Sequence, residues 1–211
     1  MIASRADFTV HEARLKNIGP VTGTLAEAFL GGDLAHWLIE DRETRRAAYA
    51  DYFWMLAEFF LRHGQVDVTA DMDAVALWLP VENHVDINIP DYDERLAKIT
   101  GDAVGRFVLL DMTTQSHHPQ YRPHHYLSHI AVHPDRHGQG LASALLRHRL
   151  AQLDQDGVPA YLEATGIQTR AIYEHFGFRL IFPVDIPSGP TLFPMWRAAG
   201  GAAPHPQHSA R

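Results

Sequence analysis

Residues 131–146, AVHPDRHGQGLASALL, set Gly138 and Gly140 between an apolar approach and a run of helix formers. A helix N-terminus carries unpaired backbone N–H groups and a partial positive charge. Glycines let the main chain come close where a Cβ would intrude, so the chemistry on offer is the holding of phosphate. A tight strand-to-helix turn that binds nothing has the same local signature. A dinucleotide fold is a sharper rival, because Glu163 ends the next strand about where a ribose-binding acid would lie. Against it, Ser143 stands where that fingerprint asks for a third glycine, and residues 133–137 separate the strand's end at Val132 from the first glycine. That loop is too long for a turn that follows its strand at once. His125, His129, His133 and His137 recur at every fourth position. On a helix this would stack a metal face, but Pro134 and Gly138 argue for strand then loop. There His125, His129 and His133 share parity, and no metal is expected.

The elements that must position these residues are legible in outline. Residues 125–132 read as strand, 140–156 as helix, 159–164 as strand and 167–176 as helix, followed by strands in FRLIFPVDI and TLFPMWRA. Strands alternating with helices imply a mixed α/β sheet with helix crossovers. Toward the N-terminus, residues 7–15 alternate through Phe8, Val10 and Ala13 as a first strand, and a helix follows over 19–30. Residues 42–63 carry Tyr49, Tyr52, Phe53, Leu56, Phe59 and Phe60 at helical spacings and stop at Gly64. Residues 65–81 read as two strands around a turn at 70–73, and 91–112 as helix broken at Gly101. Residues 113–125, TTQSHHPQYRPHH, are polar and Pro-bearing, a loop crossing between halves. Residues 198–211 lack an apolar pattern and read as a flexible tail.

At 211 residues with 46% apolar side chains, one domain with a sizeable core is expected. The net charge of −7 opposes general affinity for nucleic acid or anionic membrane, so neither is an expected partner. Protonation of all 15 histidines would move the formal charge from −7 to +8. The absence of cysteine excludes disulfides, thiolate zinc and a Cys nucleophile, and fits a reducing cytoplasm. No stretch approaches a membrane span or a secretory leader, so a cytoplasmic location is expected. Arg and Ala usage suggests a GC-rich bacterial source.

VHPDRHGQGLASALL resembles the pyrophosphate-binding motif of the GNAT superfamily of N-acetyltransferases: Gln or Arg, two residues, Gly, one residue, and Gly or Ala, after a strand ending in Val-x-Pro. The matching positions are His137, Gly140 and Ala142, with His137 departing from the usual Gln or Arg. Residues 157–180 resemble the family's next strand and its Tyr-bearing helix ending in Gly-Phe. Residues 184–197, VDIPSGPTLFPMWR, are similar to the branch containing puromycin N-acetyltransferase. The likeness spans about 127–197 and fades toward the N-terminus.

The resemblance implies an α/β (α+β) fold, a single domain over 1–197 with a mixed, mostly antiparallel central sheet flanked by helices. Residues 1–112 would form the acceptor side and 125–197 the CoA-binding side. It implies acetyl-CoA as cosubstrate, its pantetheine arm pairing with the main chain of Ile130, Ala131 and Val132 like an added strand. Its pyrophosphate would meet the amides of His137, Gly138, Gln139, Gly140, Leu141, Ala142 and Ser143, and Thr169 and Tyr173 would complete the cofactor-binding set. Tyr173 matches the family's general acid, a phenol that keeps its proton at neutral pH. For the base, Glu163 ranks first at its strand's C-terminal end, with His129 or a water as alternatives, and Glu40 or Asp41 could orient a cationic amine. Arg136 reads either as a phosphate contact or as a solvated surface arginine. Trp37, Tyr52, Phe53, Trp54 and Phe59 read as acceptor pocket or simply core. The expected activity is direct acetyl transfer to a small-molecule amine. A protein lysine or N-terminal acetyltransferase and a non-catalytic CoA-binding module are the competitors, and a homodimer is left open.

Overall fold

The computed structural model describes residues 8–201. The strands are β1 (Val10–Glu12), β2 (Gln65–Thr69), β3 (Ala74–Val81), β4 (His124–Val132), β5 (Ala160–Ala164), β6 (Arg179–Leu180), β7 (Val184–Asp185) and β8 (Thr191–Arg197). They form one sheet in the order β1-β2-β3-β4-β5-β8-β6, with β7 on β8. Every pairing is antiparallel except β4 with β5. A parallel pair needs a crossover, and α6 (Leu141–Asp156) supplies it. This is the mixed, mostly antiparallel sheet expected.

Both faces of the sheet are covered, which is why β2 and β3 are buried almost throughout rather than at alternate residues. One face packs beneath α1 (Ile18–Ala28), α2 (Asp33–Leu38), α3 (Arg42–His63), α4 (Tyr92–Thr100) and α5 (Val104–His117). The other packs beneath α6 and α7 (Ile167–His175). The Asp41 carboxylate caps α3 by accepting from the Thr44 N–H at 2.7 Å. α3 ends at Gly64, whose backbone is extended, and the missing Cβ there lets the Trp78 carbonyl oxygen approach closely. The buried Arg149 guanidinium of α6 donates to both Asp67 oxygens, at 2.9 and 2.5 Å, and fastens the helix to β2.

The structure corrects several sequence expectations. The first strand is only three residues, and Asp7 lies outside the described residues. α5 runs through 113–117, which had read as loop. Thr113, Thr114 and His117 bond back to the carbonyls of Leu109, Leu110 and Thr113, and the helix stops where Pro119 forces His118 into extended backbone. FRLIFPVDI yields only the two-residue strands β6 and β7. Ala199–Gly201 form a 3-10 turn tied down by the Gly200 N–H on Asp154, and the rest of the expected tail lies outside the described residues.

One irregularity bears on the site. The β3–β4 register shifts so that Leu77 pairs with His129 and Trp78 with Leu127, leaving Ser128 as a bulge. The extra residue reverses side-chain parity. His125 therefore lies near Arg149 and Asp67 on the α6 face, while His129 packs against Phe29 and Phe53 on the opposite face. The shared parity expected of His125, His129 and His133 does not hold. Among the described residues, no group of three His, Asp or Glu is arranged to hold a metal.

Candidate active site

The glycine loop follows β4 through a 3-10 turn, Pro134–Arg136, and opens α6. Gly138 and Gly140 adopt φ of 76° and 88°, the left-handed region that favours glycine, and nothing lies near enough to touch a Cβ at either. Gly140 is the N-cap of α6, with no side chain satisfying the first-turn amides and no acid in that turn. Leu141 is buried in the core, so it can offer only its amide; Ala142 and Ser143 are half-buried beside it. The His137 ring turns back so that Nε2 donates to the Val132 carbonyl at 3.0 Å. Its side chain thus ties the loop back to the end of β4. Arg136 donates to Asp71 at 2.9 Å and Asp73, from the β2–β3 turn, and its Nε donates to Gln139 Oε1 at 2.9 Å, tying the loop down.

β4 and β5 pair only at His125 with Ala160 and Tyr126 with Tyr161. Beyond those residues the strands part, and among the described residues the β5-facing edge of β4 from Leu127 to Val132 has no strand partner. Ile130, Ala131 and Val132 therefore present main-chain groups into a split that opens directly toward the glycine loop. An extended chain of amides can add to such an edge.

Beside the split lies a cavity of about 850 Å³. Phe29, Tyr49, Tyr52 and Phe53 line its apolar wall; Asp33, Asp93, Asp111 and Glu163 are its carboxylates, and among the described residues no Lys or Arg lines it. Glu163 shares a β5 face with Tyr161, opposite Leu162 and Ala164. Its side chain is 7% exposed, and Oε1 has no hydrogen-bond partner among the described residues. The Nδ1 of buried His118 is 3.8 Å away. His118 Nε2 lies 3.0 Å from His124 Nε2, and His124 Nδ1 donates to the Arg122 carbonyl at 2.6 Å. Burial, then the Glu163 charge and hydrogen bonding toward it, pushes the Tyr126 and Tyr161 phenols well above their ordinary range, so both stay protonated beside the carboxylate.

His129 lines the same cavity and bonds to Ser128 Oγ at 2.9 Å; burial pushes its pKa down to about 4, leaving a neutral ring. Asp111 accepts from Tyr92 at 2.8 Å, and burial pushes its carboxyl up to about 6. Thr169 lines the cavity from α7, its hydroxyl on the Gly166 carbonyl at 2.9 Å. Tyr173 is one turn further along the same helix face, but its ring is half-buried against Phe178 and it does not line this cavity. Burial pushes its phenol up, so it is fully protonated.

Other candidates fall elsewhere. Asp41 is spent on the α3 cap, where the Thr44 amide holds its carboxyl below the usual range, and exposed Glu40 is not at the cavity. Of the aromatic set only Tyr52 and Phe53 line it. Phe59 is core, Trp54 is exposed, and Trp37 packs by Leu192 and Ile186. His118, Tyr126 and Asp111 escaped the sequence reading. The one signal was the doubled histidines at 117–118 and 124–125 around Pro119 and Pro123, which their polar surroundings disguised as loop.

The family model described as Acetyltransferase (GNAT) family matches residues 65–178, over half of the chain. An uncharacterised N-acetyltransferase of Schizosaccharomyces pombe is 25% identical over 181 residues, covering 77% of this chain and 71% of its own. A Corynebacterium glutamicum structure described as histone acetyltransferase HPA2 and related acetyltransferase is 26% identical, with TM-score 0.70, covering 94% of this chain and 98% of that one. The polyamine N-acetyltransferase of Drosophila melanogaster shares the fold at 15% identity and TM-score 0.61, covering 91% and 100%.

Proposed function

Because the chain belongs to the acetyltransferase (GNAT) family, whose members use acetyl-CoA, we propose that it acetylates the primary amine of a small molecule by direct attack in a ternary complex. The observation that carries this is the buried Glu163 carboxylate in an aromatic-walled cavity beside the β4–β5 split. Bound along the split and the glycine loop, acetyl-CoA would supply the acyl group and a thiolate leaving group. The main chain of residues 130–132 and the first amides of α6 would hold it, since each offers hydrogen-bonding groups without a strand or cap partner. Glu163 takes the proton of the attacking nitrogen at Oε1, and Tyr173 gives its phenolic proton to the departing sulfur. The chain has no cysteine to carry a covalent acyl group.

A cavity of about 850 Å³ is of the size that encloses a drug-sized molecule. Its four carboxylates, unopposed by Lys or Arg among the described residues, favour a cationic acceptor, and its aromatic wall favours one with an apolar body. The likeness of residues 184–197 to the puromycin N-acetyltransferase branch also supports a small acceptor. To test it, thiol release from acetyl-CoA is followed with arylalkylamines, polyamines and lysine peptides. Small amines should be acetylated with saturation and the peptides far more slowly. Acetyl-CoA binding without turnover of any amine would leave a CoA-binding module, and preference for the peptides a protein acetyltransferase.

A further inference from the structure

Asp111 interrupts an apolar helix face. It follows Leu110 and precedes Met112 on α5, and Val108, Asp111, Met112 and Gln115 fall at the helical spacing that turns them together toward the large cavity. The side chain is half-buried, and its Oδ2 accepts from the Tyr92 hydroxyl of α4 at 2.8 Å. Among the described residues that is the carboxylate's one hydrogen bond, and no Lys or Arg lines the cavity. Two carboxylate oxygens offer about four lone-pair positions, so a single neutral donor leaves most of them unmet away from bulk water. Fastening α4 to α5 would need only an acceptor for Tyr92, which a neutral amide supplies without the cost of a charge. Asp33 and Asp93 line the cavity too but are exposed, so water serves them. Asp111 and Glu163 are the two carboxylates held inside.

Helix geometry sets the distance between these two. His118 directly follows α5, and its Nδ1 lies 3.8 Å from Glu163 Oε1. Asp111 precedes His118 by two turns on the side that lines the cavity, roughly 10 Å along the axis. The Tyr126 phenol feels both charges, that of Glu163 more strongly. A monoamine can meet only one of two carboxylates so far apart, and the nitrogen that is acetylated must lie at the β4–β5 split, beside Glu163. Asp111 is left for a charge that stays on the molecule. We infer that Asp111 is the specificity-determining residue for the acceptor, binding a second cationic group of the molecule whose first amine is delivered to Glu163. This rests on the acetyltransferase reading and narrows the acceptor to a dication: two amines joined by a linker of several atoms, apolar enough to lie along the rings of Tyr52 and Phe53. Because the second charge is the same before and during acetyl transfer, Asp111 acts on KM and leaves kcat alone.

The groups packed around Asp111 cannot take the place of that cation. Tyr92 from α4, Tyr52 from α3 and Tyr126 from β4 are pushed up chiefly by burial, so each is a neutral phenol. Asp93, from α4, adds a negative charge. Burial raises the Asp111 carboxyl to about 6, with the Tyr92 hydrogen bond opposing and Asp93 adding to the rise. Near that pH a proton neutralises the carboxyl in part of the molecules, and a bound cation expels it.

The test compares linear diamines, from diaminopropane to diaminooctane, with monoamines of equal length at saturating acetyl-CoA. An intermediate linker should give a KM at least about tenfold below that of its monoamine, the worth of one hydrogen bond to a charged group. Asp111→Asn keeps an oxygen for Tyr92 and removes the charge. Its KM for that diamine should rise about tenfold or more, with kcat and the monoamine KM within about twofold of wild type, and the monoamine turnover shows that the variant is folded. Diamines no better than monoamines in the wild type, or an equal loss for both in the variant, overturn the inference; the second outcome leaves Asp111 as a support of the wall. A wild-type chain that acetylates no amine removes the acetyltransferase reading, and calorimetry without acetyl-CoA then decides Asp111 separately. The diamine should bind with release of protons at about pH 6 that vanishes at about pH 8 and in Asp111→Asn. Absence of binding heat, or the same proton release in the variant, overturns the site.

Discussion

Glu163 and Tyr173 differ in what surrounds them, and so in what their removal should do. Glu163 alternates with core residues on β5, and its carboxylate is buried, an arrangement that costs stability unless something donates to it. Glu163→Gln should lower kcat by about 10²–10⁴-fold, the usual worth of a general base, while calorimetry finds acetyl-CoA binding unchanged and melting no lower than wild type. Tyr173 packs on Phe178, and its ring contributes to the second core while its hydroxyl does not. Tyr173→Phe keeps the ring, so it should melt within about 1–2 °C of wild type, a hydroxyl facing no partner being worth well under 1 kcal/mol, and still lose at least about 10²-fold in kcat. A variant with full activity would assign the tyrosine to packing alone. The proposed base and acid were legible as residue types at strand and helix positions. Glu163's neighbours were not, because His118 comes from a segment distant in sequence whose polar composition reads as loop.

At the level of elements, the site depends on three devices. The Ser128 bulge turns His129 to the cavity face, the early parting of β4 and β5 opens the split, and α6 aims its amides along it. Gly140→Ala meets no steric obstacle, but its φ of 88° is costly for a residue with a Cβ, roughly 1–2 kcal/mol. That strain falls on the loop and first turn of α6. Isothermal titration should therefore show acetyl-CoA affinity reduced about tenfold, with kcat at saturation nearly unchanged. The direction of α6 is held at its middle by Arg149 on Asp67 and at its end by Arg197, which grips Asp154 at 2.6 and 2.7 Å. Arg149→Ala leaves the fully buried Asp67 carboxylate alone. Denaturant unfolding should register a loss of about 3–5 kcal/mol, far more than removal of an exposed ion pair such as Arg62–Glu58.

For the molecule as a whole, the buried histidines make folding pH-dependent. Burial pushes His124 and His129 down to about 4, and His125 down as well, from an ordinary value near 6.5. Between about 4 and 6.5 the unfolded chain binds protons at these rings that the native chain refuses, so stability is lost as pH falls through that window. Asp111 acts the other way. Its carboxyl, raised to about 6, holds a proton in the native chain that the unfolded chain has released, so its contribution weakens folding as pH rises from about 3.8 to 6. Three histidines outweigh one aspartate across this range. The melting temperature should fall steadily from pH 7 to pH 5 in scanning calorimetry; a flat or rising trend would mean the rings are already protonated in the native chain.

What the sequence determined by itself was local: the glycine loop, the helix it opens, the tyrosine-bearing helix and the alternation of strands and helices. Turn geometry, helix periodicity and main-chain hydrogen bonding act over a few residues and leave their mark in residue type. Which side chains share the cavity was decided only by tertiary structure. A bulge adds a residue without a side-chain signature, yet it reverses parity and separates His125 from His129. The approach of His118 and His124 to Glu163 depends on where α5 ends and how β4 and β5 pair, and contacts between distant segments are chosen by packing of the whole core.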